Sequence, residues 1–437
     1  MTLLLERRAR APQDRHGLFE AYYTTLYERE IGKDTPDSRL LDIQRNNIDR
    51  VHERAGLLLQ IRAEHAGEAE AHLPETDLRR MIYDRLVEEG HDHKEAARMA
   101  GRLLVLATDR LVLLVGMPKA SIGFEVRSLQ ELMAGRALFS AGDGELMRAL
   151  KHLAVSAHWR NTWLFAASRV FAEHEPLRND MIVMLEELDT ADPLSGWLMP
   201  GARLALDMLD EDIAAQQPRY TRLLLTRALR LLDTYPSDTV NRLMSVVHRI
   251  TSRNPDLIHQ VLDAINIRTN SRGKTTVTAL DALAAWAQHP GSASISARSR
   301  LDKIRNSPPP ALKDAVDELR AHSRNEIWQR QGIERPETEL ETIHAVLLRA
   351  IAEADIPTGQ RPRLECVARV VSRGISLATD FFDPELQRLV VDLVNGLEPQ
   401  LWPYAAEVHQ SLHHWYTRQP VDDTAIIGLT RPPTHER

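Results

Sequence analysis

The sequence predicts a mainly α-helical chain: a helical segment, a winged helix with a short β-hairpin, then an α-helical array. Three observations predict it. Apolar residues recur at helical spacing along most of the chain, as in Ile48, Val51, Ala55 and Leu58. One stretch breaks that period: Arg110-Leu111-Val112-Leu113-Leu114-Val115, a Gly-Met-Pro turn region, then Ile122 to Val126. Two short apolar runs around a proline-containing loop read as a hairpin. Beyond it, polar clusters such as Tyr235-Pro236-Ser237 and Asn254-Pro255-Asp256 punctuate further helical runs.

The elements follow in order. Residues 1–45 form a helical segment that includes Leu18-Phe19-Glu20-Ala21-Tyr22-Tyr23. Residues 46–127 form the winged helix. Its first helix carries the Ile48 face, and His72-Leu73-Pro74 supplies a minor first strand. Leu78, Met81, Ile82 and Leu86 mark a second helix, with Asp77 as N-cap and Gly90 as C-cap. The third runs from Lys94 to Ala107, and Arg110–Val115 then pairs antiparallel with Ile122–Val126. Residues 128–288 form the array, with helices at Ala202–Leu209, Tyr220–Leu232 and Val240–Ile250. The spacing suggests stacked helical hairpins without a fixed-period repeat. Residues 289–310 read as a linker, because Pro290-Gly291-Ser292-Ala293-Ser294 and Ser307-Pro308-Pro309-Pro310 disfavour continued helix. Residues 311–437 form a C-terminal helical domain whose tail frays after Gln419.

Composition narrows the function. The 437 residues are 43% hydrophobic and 27% charged, which excludes wholesale disorder. A net charge of −7 offers no general attraction to nucleic acid or anionic membranes. The single Cys366 precludes an internal disulfide and suits a reducing compartment. No apolar run approaches the roughly 20 residues needed to span a bilayer. Met1-Thr2-Leu3-Leu4-Leu5 is followed at once by Glu6-Arg7-Arg8, so it lacks a signal-peptide core. A cytoplasmic protein without a membrane partner is expected.

The most informative stretch is Gly123-Phe124-Glu125-Val126-Arg127-Ser128-Leu129-Gln130-Glu131-Leu132-Met133-Ala134-Gly135-Arg136-Ala137-Leu138, a short strand running into an amphipathic helix. Its pattern Phe-x-x-x-Ser-Leu-Gln-Glu-Leu-x-Ala resembles the motif that ends the winged-helix domain of NACHT-type STAND NTPases, ATP-driven switches of innate immunity and signalling. Leu3-Leu4-Leu5-Glu6-Arg7-Arg8, Pro12, Arg15-His16-Gly17-Leu18-Phe19 and Tyr22-Tyr23 resemble the helical segment that follows the nucleotide-binding domain in that family. The resemblance covers about Met1 to Phe171. It implies a winged helix that clamps the nucleotide-bound off state, C-terminal helices that sense a trigger, and oligomerisation permitted by ATP exchange. In relatives a proline that touches adenine lies just upstream of such a leucine run. The chain therefore looks like the regulatory and sensor portion of a bacterial NACHT-type switch, in defence or signal transduction. It would depend on its own missing nucleotide-binding domain or on a partner ATPase. Leu3, Leu4 and Leu5 should then present apolar surface that drives self-association when uncovered. Many relatives place a phosphate-contacting histidine where this chain has Val126, which can neither donate a hydrogen bond nor carry charge. Arg127 should face the other side of a strand.

Other motifs carry little chemistry. Gly273-Lys274-Thr275 ends like a P-loop, but the first glycine of that loop is replaced by Arg268, and Leu257–Ile265 before it reads as helix. An exposed basic turn is expected there. Leu389-Val390-Val391-Asp392 mimics a Walker B strand, yet Leu386, Leu389, Val390 and Leu393 have helical spacing. His409 and His413, with His414, Trp415 and Tyr416, read as a packed, partly polar helix face lacking further metal ligands. His91-Asp92-His93 reads as a solvated turn, Glu186-Glu187 as a charged helix face, and Cys366 as a core thiol. The third helix offers Arg98 and Arg102 among Ala96, Ala97, Met99, Ala100 and Leu103, and this aliphatic composition favours burial over a DNA groove. Nucleic acid is not an expected partner. No catalytic, cofactor-binding or metal-ligating residue is assigned, and no enzyme activity is expected. The alternatives are a winged-helix DNA-binding regulator and a helical protein-interaction scaffold.

Overall fold

A computed structural model describes residues 15–33, 35–67, 71–111, 113–117, 120–271, 273–306, 365, 368, 384–397, 402–422 and 426. The Leu3-Leu4-Leu5 run, Pro12, the Ser307–Pro310 stretch, the resumption of helix at Ala311, Cys366 and most of the tail lie outside the described residues. The described chain is mainly helical, with one three-stranded antiparallel sheet. It falls into two compact units, one within Met1–Met181, Glu211–Ile213 and Gln419–Arg437, the other within Ile182–Asp210 and Ala214–Arg418.

The first unit opens with α1 (Arg15–Ile31) and α2 (Pro36–Ile43). Thr35 caps α2 by accepting from Ser38 N–H, and Pro36 fills the first turn, where no donor is needed. The long α3 (Arg45–Ala66) ends at Gly67, whose φ of 64° permits the left-handed turn. Then come β1 (Leu73–Pro74), α4 (Glu75–Glu88) and α5 (His93–Val105). The chain reverses after α4 through Gly90 N–H to Val87 and His91 N–H to Leu86, the paired bonds of a Schellman motif. Asp77 does not cap α4. Pro74 holds the N-cap position, and Asp77 sits in the first turn, where its carboxylate suits the helix dipole and accepts from Arg62 at 3.1 Å.

The hairpin is present but begins later than expected. After α5 the helix continues as one π turn, Leu106–Arg110, so the predicted strand start at Arg110 is overturned. The reason is burial: Leu103, Leu104, Leu106, Ala107 and Leu111 all face the core, and helical spacing keeps them there. Strand β2 (Leu114–Met117) pairs antiparallel with β3 (Ser121–Phe124), Leu114 opposite Phe124 and Met117 opposite Ser121. Gly116 and Met117 therefore belong to the strand rather than to the turn. β1 joins the free side of β3, with Leu73 opposite Ile122, giving the order β1-β3-β2. Pro74, which has no N–H, is tolerated on that edge. Helix, strand, helix, helix, strand, strand with the first strand beside the last is the winged-helix order.

From β3 the chain enters α6 (Arg127–Ala137), followed by α7 (Asp143–Leu153) and α8 (Arg160–Glu173). Helix α6 is not amphipathic: Leu129 to Gly135 and Ala137 are all buried. One core of Tyr23, Leu26, Leu41, Val51, Leu78, Leu103, Phe124, Leu132, Phe165 and their neighbours joins the wing to the helices around it.

The division between units falls inside α9 (Arg178–Leu188). The second unit contains α10 (Pro193–Leu198), α11 (Pro200–Asp210), α12 (Pro218–Ala228), α13 (Asp238–Arg253), α14 (Leu257–Thr269), α15 (Lys274–Gln288), α16 (Ile295–Asn306), α17 (Pro384–Asn395) and α18 (Trp402–Thr417). Neighbours pack in succession, α11 on α12, α14 on α15 and α15 on α16, while α17 packs on α10. The linker expected over residues 289–310 is replaced through Asn306 by helix α16, in which Ala297 and Ile304 are buried. Pro290 and Gly291 only reverse the chain. Ser294 Oγ bonds the carbonyls of His289 at 2.6 Å and Gly291 at 3.0 Å, and α16 starts immediately.

Candidate functional site

Helix α6 is held by neighbours that come unusually close. An added Cβ on Gly56 of α3 would lie 2.7 Å from Met133 Cβ and 2.9 Å from Ala134 N. One on Gly135 would lie 3.0 Å from Thr162 O of α8. Glycine at both positions lets α3 and α8 grip α6 from two sides, which accounts for the small residues at the end of the Gly123–Leu138 motif.

The two polar residues at its centre are buried and satisfied. Gln130 Nε2 donates to Gln60 Oε1 at 3.0 Å, and Gln60 Nε2 donates to His158 O at 3.0 Å. Glu131, only 2% exposed, accepts from Arg127 Nε at 3.2 Å and Asn161 Nδ2 at 3.1 Å, with Arg15 3.8 Å away. A buried carboxylate of this kind is retained only where cations and donors surround it. Glu131 thereby ties α1 and α8 to the motif. Val126 is the N-cap of α6 and 40% exposed, while Arg127 is engaged by Glu131.

One turn on, Arg136 lies in an acidic ring: Glu53 at 3.2 Å, Glu20 at 3.5 Å and Asp49 at 3.9 Å, with its guanidinium 5.1 Å above the Tyr23 ring. Burial opposes the charge on Arg136, but Glu20, Glu53, Tyr23 and Asp49 outweigh it and raise its pKa. Tyr23 Oη donates to Asp49 at 2.5 Å and lies 3.1 Å from His52 Nδ1. Burial, then the nearby Tyr27 and Asp49, push the Tyr23 phenol well above its ordinary range. His52 is fully buried, and burial, reinforced by Arg136 and opposed by Asp49, lowers its pKa to about 4. Its Nε2 has no hydrogen-bond partner among the described residues. These side chains bind α1, α3 and α6 together. They form a mechanical junction, with no nucleophile–base pair facing a cavity.

Sequence reasoning did not single out Asp49, His52, Gln60 or His158, and it gave Arg136, within the Gly123–Leu138 motif, no role of its own. The available signal was a polar residue inside an apolar stretch, such as Gln60 between Leu59 and Ile61.

The motifs that were singled out fall elsewhere. Lys274 opens α15 after Gly273 (φ 83°), and helix α14, rather than a strand, precedes it. The lysine is not an exposed basic turn, because its stem packs and its head is taken. Lys274 Nζ donates to Asn395 Oδ1 at 2.5 Å and lies 4.2 Å over the Tyr235 ring. Burial, only partly offset by Asp233, lowers its pKa to about 8. The Walker B mimic is helical, on α17, but only Val390 of it is buried; Leu389 is 42% exposed, so the reading of the whole stretch as core is corrected to one buried face that Val394 continues.

His409 is 5% exposed, sits 2.9 Å from the Trp197 carbonyl and meets the Trp197 ring edge-on at 4.6 Å. Burial, then Arg203, lower its pKa to about 3. Asp92 of the His91-Asp92-His93 turn caps α5 through Lys94 and Glu95 N–H. Among the described residues no group of three or more His, Cys, Asp or Glu is disposed to hold a metal, and no helix is long and apolar enough to cross a membrane. No protein-family model, curated protein or solved structure matches the chain.

Proposed function

We propose that this chain is the non-catalytic regulatory and sensor portion of a NACHT-type STAND signalling switch, with its ATPase supplied by a separate domain or partner chain. The observation that carries the reading is the placement of the Phe124-to-Ala134 motif. It leaves the last strand of a winged helix and becomes the central buried helix of its unit, gripped by α3 and α8. The residues that carry the resemblance are those with structural work there. Leu129 and Leu132 enter the core, Gln130 and Glu131 hold α3, α8 and α1, and Ala134 allows close approach. A helix so placed couples the wing to the helices before and after it, as a switch requires.

The nucleotide contact of relatives is not reproduced at Val126, and Lys274 is already committed to Asn395 and Tyr235. On this reading the chain responds to nucleotide through its partner domain. Isothermal titration of the full chain with ATP and Mg²⁺ should show no binding at micromolar concentrations. Micromolar binding that disappears in Lys274→Ala would contradict the proposal.

A further inference from the structure

The third helix of the winged helix presents a face that the function above does not use. Around α5, Ala96, Met99, Ala100, Leu103 and Leu104 turn inward, and Lys94, Ala97, Arg98, Arg102 and Val105 are exposed. The expectation that aliphatic composition would bury this helix therefore applies to its inner half only. Lys94, Arg98 and Arg102 recur every fourth residue and so stand in one stripe.

Gly101 flanks the stripe, and the guanidinium of Arg79 from α4 lies 3.4 Å from where a Cβ on Gly101 would be. The missing side chain lets a fourth cation lie across α5. Among the described residues neither Lys94 nor Arg98 has an ion-pair partner. Arg102 has only Asp37, at 3.9 Å, both side chains about half exposed. Glu95, at the edge of the stripe, is beside His91 at 3.7 Å.

We infer that this face binds duplex DNA by laying α5 in the major groove, with Lys94, Arg98, Arg102 and Arg79 on phosphates and base edges. Eight residues of helix spread Lys94 to Arg102 over about 12 Å along the helix axis, and the major groove, roughly 12 Å wide, admits an α-helix. Small, exposed Ala97 keeps that flank low, so the DNA backbone can approach there. Arg98, central in the stripe, is the side-chain type that pairs bidentately with guanine. The chain's net charge of −7 argues against diffuse attraction, so binding depends on this local stripe. Duplex RNA is a poorer fit, because its major groove is too narrow and deep to admit a helix.

The test is fluorescence anisotropy of the full chain with a labelled 20-base-pair DNA duplex and, separately, with the RNA duplex of the same sequence. Binding should be measurable at 50 mM salt and fall roughly 40-fold by 200 mM, as expected for about three phosphate contacts beside the Arg98 base contact. Arg98→Glu/Arg102→Glu should weaken it at least about tenfold at 50 mM salt. Arg148→Glu/Arg222→Glu, the same charge change on exposed residues off this face, should have less effect. Thermal melting of both variants checks folding, and both pairs lie on the surface. Absence of DNA binding at 50 mM salt, equal loss in the two double variants, or equal affinity for the RNA duplex would overturn the inference. Failure here leaves the switch reading intact, because that rests on α6.

Discussion

His52 shows how a single buried side chain ties stability to pH. Its ring is neutral in the fold near pH 7, since burial, reinforced by the nearby Arg136, disfavours the cation. The folded pKa, about 4, lies below the ordinary value of 6.5. The stabilising contribution is therefore complete above pH 6.5 and is lost as pH falls from there toward 4. At pH 5 the loss from this residue should be about 2 kcal/mol. Denaturant unfolding of the first unit between pH 7 and 5 should show that slope. His52→Asn keeps a polar group near Tyr23 and should flatten it; an unchanged slope in the variant would assign the acid sensitivity elsewhere. A histidine between Val51 and Glu53 carries no such meaning in sequence, because the low pKa comes from α1 and α6 closing over it. Gly56 is similar: its need for glycine arises from Met133 and Ala134, some 80 residues away.

Helical elements were read well where period and punctuation agreed. Tyr220–Leu232 was expected and α12 with its following turn spans Pro218–Asp233; Val240–Ile250 was expected and α13 spans Asp238–Arg253. The misses have physical causes. The approach to the hairpin around Arg110 reads equally as strand or helix, and only the core beneath Leu106 and Leu111 decides for a π turn over Leu106–Arg110 before β2 opens at Leu114. Pro290-Gly291 signals a break, but the sequence alone does not distinguish a two-residue reversal from a linker. The Gly273-Lys274-Thr275 segment was correctly separated from a preceding strand, whereas its partner Asn395, more than a hundred residues on, could not be foreseen. Asn395 accepts from both Lys274 Nζ and Trp197 Nε1, at 2.5 and 3.1 Å. Asn395→Ala would remove both bonds at an exposed position, at a cost of about 0.5–1.5 kcal/mol. Amide exchange in α17 should then accelerate roughly two- to tenfold. Exchange that stays at the wild-type rate would mean that apolar contacts such as Val390 and Val394 hold the helix alone.

Two compact units divide the work in the proposed switch, the first carrying the winged helix and the central α6, the second the helical array expected to sense a trigger. Fold class was readable because hydrophobic period and the hairpin are local properties. The junction of Glu131, Arg136, Asp49 and His52 was not, because it is assembled from α1, α3, α6 and α8. In the proposed switch the first unit would engage a nucleotide-binding domain and respond to its nucleotide. The direct measurement is sedimentation of the full chain with a NACHT-type nucleotide-binding domain from the same genome, loaded with ADP or with ATP. The account predicts a complex with the ADP-loaded domain that weakens at least about tenfold with ATP, a difference of roughly 1.4 kcal/mol. No complex in either state, or the same affinity in both, would contradict it.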